Sequence, residues 1–161
     1  MSAPGSASVE LVPRPSDEVR ALIEELDRTL AADYPPEQRH GLNFDAIFAP
    51  NIRFFMARLD GVAAGCGGVA LFDDFAEVKR MYVREQLRGG GIADALLSRI
   101  ERETRDAGLT VLRLETGDSL AAALRFYGRS GFTPCAAFGD YRTKTPASIA
   151  RSVFLEKRLT T

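Results

Sequence analysis

The chain has no tryptophan, one histidine and two cysteines, and almost no net charge: 21 Lys and Arg stand against 22 Asp and Glu. Each scarcity excludes something. One histidine, His40, and two widely separated cysteines, Cys66 and Cys135, fit neither a zinc site nor a disulfide scaffold. No metal is therefore expected, and a reducing, cytoplasmic setting is the simplest reading. A net charge of −1 lacks the basic excess of a dedicated nucleic-acid binder, so no nucleic acid is expected as partner. No apolar run approaches the roughly 18 residues of a membrane span. The opening MSAPGSASVE has no signal-peptide core, so neither a membrane nor export is expected. Internal repeats and low-complexity segments are also missing. What is there is ordinary for a globular protein: 45% hydrophobic and 27% charged residues exclude a disordered chain. A length of 161 residues suits one domain, spanning 1–161, with a loose Ser/Ala/Gly/Pro-rich tail over 1–7.

The patterning alternates between the two periods. SVELVPR reads as a short strand ended by Pro13 and Pro15. Ser16 can cap a helix in which Val19, Leu22, Ile23, Leu26 and Leu30 recur at helical spacing, stopped by Pro35 and Pro36. Phe44, Ile47 and Phe48 suggest one short helix in the weakly patterned segment that follows. NIRFFMARLD, VAAGCGGVALFD and FAEVKRMYVRE are three strand-like runs joined by tight turns, which implies an antiparallel meander. GIADALLSRIERETRDAG is strongly helical, with Ile92, Leu96 and Ile100 on one stripe and Gly108 as its stop. Its charge run ERETRD reads as a solvated face. LTVLRLET is a strand. Asp118 or Ser119 can cap a second helix, LAAALRFYGRS, and FTPCAAF and RSVFLEKRL read as the last two strands. The result is a mixed α/β unit, in which the crossover through residues 91–107 leaves strands 76–84 and 110–116 parallel.

Between one of these strands and the helix after it lies Gly89, Gly90 and Gly91. Glycine is a poor helix former, so three in a row call for unusual backbone angles or a close approach. Strand, glycine loop and helix together make an anion site: the first N–H groups of a helix lack internal partners and its dipole makes that end positive. Arg84 and Arg88 add charge nearby. The loop is neither a P-loop, which needs GxxxxGK[ST], nor a dinucleotide fingerprint, whose last glycine would fall on Asp94. A plain tight turn is the alternative.

Three motifs in order decide among these. RGGGIA at 88–93 resembles the R/Q-x-x-G-x-G/A motif of the GNAT superfamily of CoA-dependent N-acetyltransferases, through Arg88, Gly91 and Ala93. EVKRMYV at 77–83 resembles the strand on which that family lays the pantetheine, and ALRFYGRSGF at 123–132 resembles its A-x-x-x-Y-x-x-x-G-F segment. The resemblance spans about residues 8–159. It implies an α/β fold with a mixed central sheet of about seven strands flanked by helices. An antiparallel meander leads into a parallel pair that splays around the acyl-CoA site. It implies acetyl-CoA as cosubstrate, held by the backbone of Met81, Tyr82 and Val83 and by N–H groups of Arg88, Gly89, Gly90, Gly91, Ile92 and Ala93.

The resemblance also assigns chemistry. Tyr127 matches the family tyrosine that protonates the departing thiolate. The N–H of Met81 would face the thioester oxygen as charge develops. Glu77 resembles, by its place on the strand, a glutamate that serves some members as base, with a water chain as the other route. Strand alternation puts Glu77 on the face of Met81 unless a bulge intervenes. Tyr34, His40, Phe138 and Tyr141 stand in the two segments from which the family builds its acceptor pocket. Leu120 departs from the pattern, because many members carry Asn or Gln there. The expected function is acetyl transfer to a primary amine of a small molecule. The alternatives are a protein N-terminal or lysine acetyltransferase and a non-catalytic acyl-CoA sensor. A monomer and a homodimer are both open.

Overall fold

The computed structural model describes residues 6–160. The chain runs through β1 (Ala7–Leu11), α1 (Asp17–Asp33), β2 (Ile52–Leu59), β3 (Val62–Leu71), β4 (Ala76–Val83), α2 (Ile92–Asp106), β5 (Val111–Gly117), α3 (Ala121–Arg129), β6 (Thr133–Pro134), α4 (Pro146–Ile149) and β7 (Ser152–Arg158). Short 3₁₀ turns lie at Pro36–Gln38, Ala46–Phe48, Glu85–Leu87 and Gly139–Thr143. Of the expected tail, residues 1–5 lie outside the described residues. Ser6 already donates its N–H to the Asp60 carboxylate at 3.2 Å, and Ala7 opens the first strand.

One seven-stranded sheet takes the order β1-β2-β3-β4-β5-β7-β6, antiparallel throughout except for β4 beside β5. The crossover through α2 accounts for that parallel pair. Strand alternation sorts the core onto two faces. Phe55, Ala57 and Ala64 meet Ile92, Leu96 and Ile100 of α2, while Phe54, Met56 and Cys66 meet Val19, Leu22 and Ile23 of α1. Helix α1 starts where expected: the Ser16 hydroxyl accepts from the Val19 N–H at 3.3 Å, a cap worth about 1 kcal/mol.

Four local expectations are corrected. The stretch around Phe44 forms only the 3₁₀ turn Ala46–Phe48. Neither Asp118 nor Ser119 caps α3, whose N-cap is Leu120 without a side-chain bond. The Tyr34 hydroxyl engages both, at 2.8 Å from Ser119 Oγ and 3.4 Å from Asp118 Oδ1. FTPCAAF yields the two-residue edge strand β6, because Pro134 has no N–H to give a ladder. Finally, a bulge does intervene on β4. Cys66 faces Tyr82 and Gly68 faces Lys79, so Arg80 and Met81 together oppose Gly67. Arg80 takes φ +55°, a left-handed angle that costs a non-glycine residue about 1–2 kcal/mol. The bulge puts Met81 on the α2 face, beside Ile100, and leaves Glu77 on the opposite face from its neighbours Ala76 and Val78.

Candidate active site

β4 and β5 pair at only two positions, Ala76 with Leu112 and Glu77 with Arg113. Beyond them the strands diverge, and from Val78 onward β4 has no partner on its β5 side. Two cavities fill the opening. They share a wall made of Leu26, Leu30, Met81, Leu120, Ala123 and Tyr127.

The first is a groove of about 550 Å³ along Met81, Tyr82 and Val83, past the glycine loop to α3. Gly91 is the N-cap of α2 at φ +81° and offers no side-chain cap, so the first-turn N–H groups stay available to a ligand. Gly89 also sits at φ +84°, whereas Gly90 has an ordinary angle and does not line the groove. Arg88, Arg125 and Arg129 reach the groove against one carboxylate, Asp94. The Nε of Arg88 donates to the Val83 carbonyl at 3.2 Å, which holds that side chain beside the strand. Arg84 plays no part: its guanidinium is spent on Glu25, at 2.7 Å, and on the Ala63 carbonyl. An elongated cleft with uncapped helix N–H groups and three guanidinium groups fits a ligand with a pyrophosphate.

The second cavity, about 150 Å³, lies on the α1 face of the β4–β5 opening. Glu77 is 4% exposed there, and its Oε2 accepts from the Tyr141 hydroxyl at 2.7 Å and from Lys79 Nζ at 2.9 Å. The Tyr141 phenol is pushed far up by burial, with the Glu77 charge and hydrogen bond adding to it. Glu115, two residues beyond Arg113 on the same face of β5, accepts from the Ser152 hydroxyl at 2.6 Å. Burial raises its carboxyl above the usual carboxylate range. The Ser152 bond, His40 and Lys79 oppose the rise, and Glu77 adds to it. His40 Nε2 lies 2.9 Å from the Ser148 carbonyl, and its ring meets Tyr141 edge-on at 5.8 Å.

Tyr127 stands between the cavities. It is 6% exposed, and its hydroxyl makes no hydrogen bond among the described residues. Burial pushes the phenol well above its ordinary value, so it keeps its proton across the neutral range.

The structure therefore gathers Tyr127, Met81, Glu77, Tyr34, His40 and Tyr141 around one opening. It separates Phe138 from them. That ring is packed among Phe75, Tyr141 and Phe154 in a small core and does not line either cavity. Sequence reasoning missed Arg39, Lys79, Arg80 and Glu115 in the smaller cavity and Arg125 and Arg129 in the groove. Alternation from Glu77 and Arg113 offered a signal for Lys79 and Glu115. For Arg80 there was none, because the bulge turns it out of register.

The acetyltransferase (GNAT) family model matches residues 19–132. An IAA acetyltransferase of Azospirillum brasilense is 44% identical over 145 residues, covering 89% of this chain and 92% of that protein. An uncharacterized N-acetyltransferase, YsnE, of Bacillus subtilis (strain 168) is 31% identical over 145 residues, 88% of this chain and 93% of the other. A crystal structure of a Klebsiella pneumoniae subsp. pneumoniae MGH 78578 protein assigned as an acyl-CoA N-acyltransferase superposes with a TM-score of 0.76 at 30% identity. The alignment covers 96% of this chain and 98% of that one. The chain belongs to the GNAT acetyltransferase family. It is an acyl-CoA-dependent N-acetyltransferase, a class that uses acetyl-CoA. No helix among the described residues is long and apolar enough to cross a membrane.

Proposed function

We propose that the protein moves an acetyl group from acetyl-CoA to a primary amine of a small molecule, by direct attack of the amine on the thioester. The observation that carries this is the shared wall: Met81 and Tyr127 line both the groove and the smaller cavity, so a thioester in one meets an amine in the other. The backbone of Met81, Tyr82 and Val83, with N–H groups of the loop 88–93, holds the cosubstrate. Arg125 and Arg129 add charge to the groove.

Glu77 takes a proton from the incoming ammonium through Oε1, the oxygen that neither Tyr141 nor Lys79 occupies, directly or by way of water. The Met81 N–H faces the thioester oxygen where negative charge develops. Tyr127, kept protonated by its burial, donates to the departing sulfur. The nitrogen–carbon bond forms, the nitrogen gives its second proton to the Tyr127 phenolate directly or by way of water, the carbon–sulfur bond breaks, and CoA leaves as the thiol.

A small acceptor is favoured over a peptide by the way the smaller cavity is strapped. Gln38 Nε2 donates to the Ala147 carbonyl at 3.2 Å, and Ser148 Oγ donates to the Glu37 carbonyl at 3.0 Å. With the His40–Ser148 contact, these tie the 3₁₀ turn after α1 to α4 along one side of the cavity. Following free thiol while acetyl-CoA and an amine panel are mixed with the protein tests the reading. Release with at least one small amine, and none with peptides, is expected. Tight CoA binding without release for any amine would instead mark an acyl-CoA sensor.

A further inference from the structure

The smaller cavity holds more positive charge than the acetyl transfer uses. Arg39, Lys79, Arg80 and Arg151 line it, against the carboxylates of Glu77 and Glu115. Internal pairing accounts for three of the four cations: Lys79 with Glu77 at 2.9 Å, Arg80 through Nη2 with Asp27 at 2.5 Å, and Arg151 with Asp118 at 3.1 Å. The Arg39 guanidinium has no hydrogen-bond or ion-pair partner among the described residues, and its Nε is buried. The Nε of Arg80 is also buried without a partner, on a side chain only 4% exposed.

Buried guanidinium donors without partners are costly and persist where a ligand pairs them. Arg80 has no room to retreat. Asp27 holds one end, and its Nη1 lies where a Cβ at position 41 would stand, so only Gly41 admits it. On the acidic side Glu77 is paired through Oε2 and keeps Oε1 for the proton transfer, and Glu115 has the Ser152 hydroxyl and no cation within ion-pair distance among the described residues. Once internal pairs are removed, the Arg39 guanidinium, the remaining nitrogens of Arg80 and the Glu115 carboxylate are left among the residues that line the same small volume.

That remainder is the complement of a zwitterion. We propose that the acceptor is a small amino acid or amino carboxylate, its carboxylate held by Arg39 and Arg80 and its ammonium set between Glu115 and the free Oε1 of Glu77. The proposal rests on the acetyltransferase reading above and specifies its substrate class. A carboxylate fits better than a phosphate. A planar guanidinium fork matches the two oxygens of a carboxylate, the cavity is only about 150 Å³, and the loop built for phosphate lies in the other cavity.

The test compares the twenty common L-amino acids, β-alanine and 4-aminobutyrate, each beside its own carboxamide, by thiol release from acetyl-CoA. At least one free acid is expected to exceed its amide about 10- to 100-fold in kcat/KM, mostly through KM. Arg39→Gln should bring that ratio close to one. The Arg39 side chain bonds to no described residue, so this variant keeps the fold, and Arg80→Gln, checked for thermal stability, should act in the same direction. Amides equal to or better than every acid would overturn the carboxylate subsite while leaving the acetyltransferase intact. If no amine releases thiol, the acetyltransferase reading fails separately, and calorimetric binding of the same amino acids to CoA-saturated protein then decides. Binding that Arg39→Gln weakens supports the subsite, and no binding overturns it.

Discussion

The two cavities that meet at Met81 and Tyr127 are made of different material. The groove sets one contiguous stretch, the end of β4, the glycine loop and the first turn of α2, against α3, with uncapped helix N–H groups at its anion end. The smaller cavity gathers charged side chains, Arg39, Glu77, Lys79, Arg80, Glu115 and Arg151, from β4, β5, the 3₁₀ turn after α1 and the segment before β7. The groove answers a ligand part common to the whole family, for which N–H groups suffice. The smaller cavity answers the part that varies, and individual side chains decide it. Substitutions should therefore act on the groove through φ and on the smaller cavity through charge and protons.

Tyr127, on the shared wall, gives the largest expected effect. Tyr127→Phe keeps the ring among Phe126 and Phe132 and removes only the hydroxyl. We expect kcat to fall about 100-fold or more, the scale of general-acid catalysis, with CoA affinity changed less than about twofold. The burial-raised phenol is in its donating form at every pH below its raised value, so it adds no alkaline limb to the wild-type profile below about pH 10. An unchanged kcat would place the acid elsewhere. An alkaline limb near pH 8 that disappears in Tyr127→Phe would show a wetter wall between the cavities than the one described.

The groove is probed next by a pair of glycines. Gly91 sits at φ +81° with nothing near the position of a Cβ, so a side chain there is opposed by backbone conformation and not by space. Gly91→Val should weaken CoA binding about 5- to 30-fold, the equivalent of 1–2 kcal/mol for a left-handed L-residue. At Gly90 a Cβ would meet the Leu87 carbonyl at 3.5 Å, an ordinary contact, and Gly90→Ala should change affinity less than about twofold. Calorimetry with CoA reads both. Equal losses at the two positions would break the account of the groove as a backbone cradle.

The same difference explains what was legible in the sequence. The groove left a motif because a phosphate cradle needs glycine at fixed intervals, and Gly91, Arg88 and Tyr127 could be singled out through their resemblance to the family motifs. The β2–β3–β4 meander and the parallel β4–β5 pair followed from periodicity, turn residues and the helical crossover, whereas the insertion of β7 between β5 and β6 did not. The smaller cavity left little trace. Arg39 and Glu115 are 76 positions apart in the chain (115 − 39), and nothing local tells them from solvated charges. Simple alternation put Glu77 beside Met81, and a single unpaired residue on β4 reversed it. Phe138 was indistinguishable by type from an acceptor-contacting aromatic until its neighbours Phe75 and Phe154 were known.

The smallest effect sharpens the charge side of the comparison. Glu115 is raised above the usual carboxylate range chiefly by burial, so the folded protein binds that proton more tightly than the unfolded chain does. The stability this contributes is fully present below the ordinary carboxylate value and is lost as the pH rises through the raised one. Glu115→Gln retains an oxygen for the Ser152 hydroxyl and cannot ionise. Melting temperatures of the two proteins without ligand, measured between about pH 4 and 8, should therefore diverge, the wild type losing ground to the variant as pH increases. The opposite slope would mean that Lys79 and His40 already neutralise Glu115. Adding the amino acid that turns over best should reverse the order at neutral pH, because the bound ammonium supplies the partner that the empty cavity withholds from this carboxylate.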